Sequence, residues 1–225
     1  GSVESAAHSV HDAHAYTMES YAADLLHLLD KLQLQNVFLN AHSMGASIAT
    51  LLVNQASSRI ERVILTCSGI FVYNKLTFNA FHRAGSLVVK LRPRWLAQLP
   101  LADRMFMARF LHRPIPAGER QAFLEDYLVA SPSAATGTIY TAVSQHAATV
   151  MPNAFETLQV PTLLISGKCD QIIPVRLGRA AATLNPDQIQ HQVIDRTGHF
   201  PMLEDPKTYL QCLAKFLEIP ALVTI

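Results

Sequence analysis

Little in this sequence points to disulfides, a membrane span or low complexity. Only three cysteines are present, Cys67, Cys169 and Cys212, with no C-x-x-C spacing, and an odd number cannot all pair. They read as reduced thiols, the usage expected of a cytoplasmic protein, with Cys67 and Cys212 in the core and Cys169 packed beside Asp170. No apolar run reaches the roughly 18–20 residues that a membrane span requires. Neither charge sign dominates: 18 Lys and Arg stand against 17 Asp and Glu. No internal repeat, biased tract or signal peptide stands out, and Gly1 to Tyr16 holds no strand-length apolar stretch. What remains is ordinary globular material: half the residues are hydrophobic and 16% charged, enough to fill a sizeable core. At 225 residues, one domain plus an insertion is the natural count.

Four short apolar runs read as parallel strands: 36–41, 62–67, 162–166 and 189–194. Near-continuous apolar character suits strands covered on both faces, and the more alternating last run suits an edge. Thr17 caps a helix whose apolar stripe is Tyr21, Leu25, Leu28, Leu29 and Leu32. Pro174 opens a helix carrying Leu177, Ala180, Ala181 and Leu184, and Asp205-Pro206 opens the last one through Leu217. About ninety residues without a convincing strand separate the second and third strands. That is too long for a loop, so a helical cap is expected there. The implied division is 1–71 for the first part of the core, 72–155 for the cap and 156–225 for the rest of the core.

Ala41-His42-Ser43-Met44-Gly45 sits where the first strand gives way to a helix. A serine between small residues at such a junction has the layout of a nucleophile elbow. The turn strains the serine backbone, so bulk two residues away would clash, and Ala41 and Gly45 are small. Ser43 is thereby presented at the carboxyl end of the sheet, where open α/β sheets bind ligands. The backbone N–H of Met44, at the helix N-terminus, is placed to stabilise an oxyanion. A plain helix cap is the competing reading of Ser43. Two further groups follow strands at the same edge: Asp170, after 162–166, and His199, in the loop after 189–194. The order Ser, Asp, His is that of an α/β-hydrolase triad; Asp195, Glu204 and Asp205 are rival acids.

With these motifs, A-H-S-M-G at 41–45, G-K-C-D-Q-I-I-P at 167–174 and G-H-F-P-M-L-E-D-P at 198–206, the chain resembles the α/β-hydrolase superfamily. The likeness is to its cap-bearing esterase, thioesterase and carbon–carbon hydrolase branch, from about Thr17 to Leu217. The resemblance implies an α/β fold with a parallel sheet flanked by helices. It also implies Ser43 as nucleophile, His199 as general base and Asp170 as the acid orienting it. Ala41, where the family usually has Gly, is a mild departure. A serine nucleophile argues against the branches that attack with Asp. The resemblance further implies strands before Thr17, and a His-Gly segment supplying a second oxyanion donor, that the sequence does not contain. Gly1-Ser2 reads as a tag scar or as part of a glycine-rich turn of that family. A fragment whose partner segment lies in a longer gene or another chain is the favoured reading, and a non-catalytic variant is the alternative.

Between 72 and 120 the cap holds nine Lys or Arg, from Lys75 to Arg120, against Asp103 and Glu119, a local balance of +7. Solvated faces of amphipathic helices explain this. A docking face for an anionic acyl carrier or an acidic membrane is the sharper reading, and nucleic acid fits less well. The apolar residues among them point to an apolar acyl or aromatic substrate, an ester or thioester, with carbon–carbon hydrolysis of a vinylogous diketone as the runner-up reaction. His8, His11 and His14 with Asp12 have a spacing that could gather a metal, but the stretch is polar and incidental spacing is favoured. His42 reads as packing for the elbow and Trp95 as an anchor for helix packing. No cofactor is implied.

Overall fold

The computed structural model describes residues 16–90 and 92–219. The histidine cluster at 8–14 and the segment before Tyr16 lie outside them. Four strands form one parallel sheet among the described residues: β1 (Val37–His42), β2 (Ile60–Thr66), β3 (Thr162–Gly167) and β4 (Ile189–Ile194), in that spatial order. The strands start and stop within two residues of the sequence expectation. Because side chains alternate across a strand, β2, β3 and β4 feed two cores, whereas β1 feeds one and leaves Phe38 47% exposed. Val63, Leu65 and Leu164 belong to one, which is completed by helices; Ile64, Leu163, Ile165 and Ile194 belong to the other, closed by Tyr209 and Phe216.

The helices follow their capping chemistry. In α1 (Met18–Lys31) the Thr17 side chain accepts from the Ser20 N–H at 3.1 Å. α2 (Met44–Ala56) is buried along most of its length, from Ala46 to Val53, and packs between α1 and the sheet. Between β2 and β3 the described chain is helical: α3 (Lys75–Lys90), a 3-10 turn (Arg94–Gln98), α4 (Ala102–Met107), α5 (Ala117–Val129), α6 (Pro132–Ala142) and α7 (Gln145–Glu156). Ser131 and Ser144 cap α6 and α7, the former followed by Pro132, whose fixed φ suits the first turn. Ala147, Met151, Ala154 and Phe155 of α7 join the sheet-side core. α8 (Val175–Leu184) spans β3 and β4, and α9 (Pro201–Glu204) leads into α10 (Pro206–Leu217), capped by Asp205. No described helix is long and apolar enough to cross a membrane.

Two packing expectations are corrected. The buried face of α1 is Met18, Ala22 and Leu29, whereas Leu25, Leu28 and Leu32 are exposed. The small Ala22 lets α1 approach α2 closely, which turns the leucines at 25, 28 and 32 outward. Trp95 is 58% exposed on its 3-10 turn and does not anchor helix packing.

Candidate active site

Ser43 follows β1 directly and has φ 54° and ψ −123°, a conformation that L-residues rarely adopt. Such strain costs about 1–3 kcal/mol and persists only where the surroundings over-determine it. Two hydrogen bonds do so here: the Ser43 N–H donates to Thr66 O of β2 at 2.8 Å, and Ser43 O accepts from the Ala46 N–H at 3.0 Å. The steric reason for a small residue at 45 does not hold among the described residues. A Cβ on Gly45 would meet nothing within 4 Å, because this side of the first turn of α2 is open. Met44 is the first residue of α2, so its N–H has no intrahelical acceptor and points out of the helix N-terminus.

The three groups from separate loops converge. His199 Nε2 lies 3.0 Å from Ser43 Oγ, and His199 Nδ1 lies 2.8 Å from Asp170 Oδ2. A carboxylate only accepts, so the Nδ1–H donates to Asp170 and leaves Nε2 to accept from the serine hydroxyl. Both His199 and Asp170 are buried. Burial pulls the Asp170 pKa upward, but the hydrogen bond and charge of His199, with the N–H groups of Ile173 and Ile172, more than offset it and hold the carboxyl below its ordinary value. Those two N–H groups donate to Oδ1 at 2.9 and 2.7 Å. Of the rival acids, Asp195 pairs with Lys168, and Asp205 caps α10 and pairs with Arg113.

Glu204 has a role that its sequence position did not disclose. Its buried carboxylate accepts four backbone N–H groups: Gly198 at 2.8 Å and Phe200 at 3.3 Å on Oε1, His112 and Arg113 at 2.7 Å each on Oε2. Glu204 therefore ties the loop on both sides of His199 to the loop after α4. The His199 N–H adds a bond to Phe110 O at 2.7 Å. His42, read from the sequence as elbow packing, also touches this loop. Its Nε2 lies 2.7 Å from His199 O and its ring 4.7 Å from the His199 ring. Burial and the neighbouring His199 lower the His42 pKa to about 4, so the neutral ring donates its Nε2–H to that carbonyl.

Ser43 opens into a cavity of about 300 Å³ whose wall includes Met44, Ser68, Phe71, Thr138, Val143 and Ile173. Thr138 and Val143 come from the helical insertion, so its residues face the serine. His42, Cys67 and His199 bring potential metal-binding atoms within 4.8 Å of one another. Both ring nitrogens of His199 and Nε2 of His42 are engaged in the bonds above, and burial pushes the Cys67 thiol well up and keeps it protonated. In the insertion, Arg113 and Arg120 pair with Asp205 and Asp103, and Arg92 bonds two carbonyls.

The alpha/beta hydrolase family model matches residues 3–211, and the chain belongs to that family. Among curated proteins it is similar to the uncharacterized protein Rv2715 of Mycobacterium tuberculosis, 25% identical over 217 residues. The match takes in 90% of this chain and 62% of that protein, so the chain spans under two thirds of the relative's length. Among solved structures, the esterase EaEST of Exiguobacterium antarcticum superposes with a TM-score of 0.76 at 20% identity, over 92% of this chain and 75% of that one. The putative non-heme bromoperoxidase BpoC of Mycobacterium tuberculosis gives 0.71 at 21% identity, over 90% and 74%. At these identities the structural likeness speaks for the fold.

Proposed function

We propose that this protein is a serine hydrolase that cleaves carboxylic esters of apolar acyl groups through an acyl-enzyme. The observation that carries the reading is the relay of Ser43 Oγ, His199 and Asp170, with contacts of 3.0 and 2.8 Å, beside a helix N-terminus and an apolar cavity. In the first half-reaction Ser43 Oγ attacks the ester carbonyl while His199 Nε2 takes its proton. Asp170 holds the ring in the required tautomer and stabilises the imidazolium. The Met44 N–H donates to the carbonyl oxygen as it becomes anionic; one such donor is worth about 10²- to 10³-fold in rate. His199 then protonates the leaving alkoxide, which departs as alcohol. Water, deprotonated by the same nitrogen, attacks the acyl-serine, and collapse releases the acid and restores Ser43.

A basic face for an anionic acyl carrier remains the second part of this reading. It is supported by the surplus of Lys and Arg between 72 and 120, and weakened by the arginines already committed to carboxylates and carbonyls.

The test is turnover of 4-nitrophenyl butanoate together with labelling by a fluorophosphonate, which reacts readily only with an activated serine. Ser43→Ala is expected to abolish both. Labelling that persists in that variant would remove Ser43 from the mechanism, and no labelling of the unmutated chain would support a binding module instead.

A further inference from the structure

Ser68 follows Cys67 at the carboxyl end of β2 and is 3% exposed. Its hydroxyl oxygen is buried and has no hydrogen-bond partner, yet the residue lines the same cavity as Ser43. Buried hydroxyls are ordinarily paired, because an unpaired one forfeits its bonds to water with nothing in return. The neighbouring thiol of Cys67 does not supply the bond, since no side chain reaches the hydroxyl. The backbone beside Ser68 is held in place. A Cβ on Gly69 would come within 2.4 Å of Leu177 C, and the Ile70 N–H is bonded to Leu177 O at 3.3 Å. The segment is wedged against the start of α8. Much of the remaining cavity wall is hydrocarbon, from Met44, Phe71, Val143 and Ile173.

We infer that Ser68 is a substrate-binding residue whose hydroxyl bonds a second oxygen of the ester, a hydroxyl, ketone or ether group carried apart from the scissile carbonyl. The inference deepens the esterase reading and rests on it. The preferred substrates are then oxygenated esters, held by hydrocarbon contacts along most of their length and by one polar contact at Ser68. A purely hydrocarbon isostere leaves the hydroxyl unpaired in the complex, so it is discriminated against. The second oxygen belongs either to the acyl or to the alcohol half.

Two matched pairs separate these sources. The acyl arm compares 4-nitrophenyl 3-hydroxybutanoate with 4-nitrophenyl 3-methylbutanoate. The alcohol arm compares 2-hydroxyethyl butanoate with propyl butanoate. In each arm kcat/KM is measured for the unmutated chain and Ser68→Ala, so that intrinsic ester reactivity cancels. The expected result is that, in one arm, the loss for the oxygenated member exceeds the loss for its hydrocarbon partner by about 3- to 10-fold. Equal effects on both members in both arms would overturn the inference. Calorimetric affinities of the same four esters for Ser43→Ala and for Ser43→Ala with Ser68→Ala repeat the comparison without turnover. Loss of all ester hydrolysis would therefore sink the esterase reading and still leave Ser68 decided. Thermal unfolding supplies an independent check. Removing an unpaired hydroxyl leaves Tm unchanged or raised, whereas a drop of several degrees would show that Ser68 has an internal partner and no spare bond for a ligand.

Discussion

Glu204→Gln is the substitution that most directly tests how the His199 loop is held. The carboxylate receives four N–H groups through two oxygens and is 7% exposed. Glutamine keeps shape and volume but replaces one oxygen with an NH2 group, which cannot accept. Whichever way the amide turns, two backbone donors face another donor. The pair on Oε2 is the shorter, at 2.7 Å each, so the amide oxygen is expected there, leaving the N–H groups of Gly198 and Phe200 unpaired on either side of His199. Each buried unpaired donor costs about 1–3 kcal/mol, giving about 2–6 kcal/mol, a large part of a typical domain stability of about 5–15 kcal/mol. The loop that carries the proposed base also loses two restraints, and a misplacement of about 1 Å lowers catalysis by about 10²-fold. Urea unfolding followed by circular dichroism measures the first effect; kcat on 4-nitrophenyl butanoate measures the second. Glu204→Asp, with both oxygens on a shorter arm, should fall between glutamine and the unmutated chain. A glutamine variant within about 0.5 kcal/mol of the unmutated stability, with kcat preserved, would refute the clamp.

Gly167→Ala attacks the same loop from the sheet: its Cβ would lie 1.9 Å from Gly198 O and 2.8 Å from Thr197 O, both backbone. A loss of about 1–3 kcal/mol and of most esterase activity is expected, whereas Gly118→Ala, whose Cβ meets nothing within 4 Å, should leave turnover intact; equal behaviour of the two variants would contradict the close approach. Acid stability follows from His42, whose pKa falls from 6.5 to about 4 on folding. The unfolded chain then binds a proton that the folded chain refuses, so stability is complete above pH 6.5 and declines as the pH drops towards 4, by about 3 kcal/mol, levelling off below. Urea midpoints between pH 7 and 4 for the unmutated chain and for His42→Asn should diverge in this window, and parallel curves would show that His42 is not the group responsible.

The elements and the three converging side chains were legible because the chemistry demands particular residues at particular strand ends. A serine at a strand–helix junction, an acid after the third strand and a histidine after the fourth need no knowledge of packing to be noticed. The face of α1 was not legible, since leucines at 25, 26, 28, 29 and 32 satisfy helical spacing on more than one side. Only the close approach to α2 selects Ala22 over Leu25. Glu204 was visible merely as a third acid near His199, for nothing local signals that four backbone donors from two distant loops converge on it. His42 illustrates the same limit: its ring packs as expected, but the carbonyl it bonds lies 157 residues away. Ser68 left no sequence signal, because an unpaired hydroxyl is a property of surroundings.

Backbone bonds explain how loops so far apart in sequence hold a common geometry. The end of β1 is fastened to β2 by Ser43 N–H to Thr66 O at 2.8 Å, and the end of β2 to β3 by Cys67 N–H to Ile165 O at 2.7 Å. β3 continues the series, with Lys168 N–H on Ile194 O at 3.0 Å and Cys169 N–H on Thr197 O at 2.8 Å. His199 N–H on Phe110 O then ties the last loop to the insertion. Ser43, Cys67 and Arg196 all have positive φ, so the strand ends are bent as well as fastened. Strain of this kind is retained only where neighbours hold it, and here each turn is held by the strand beside it. The sheet's edge therefore behaves as one unit: a substitution that shifts the Gly167–Gly198 contact is expected to disturb His199 before it disturbs the cores on either face. The same fastening fixes the backbone of Ser68 one residue beyond Cys67, at the wall of the cavity that Ser43 enters.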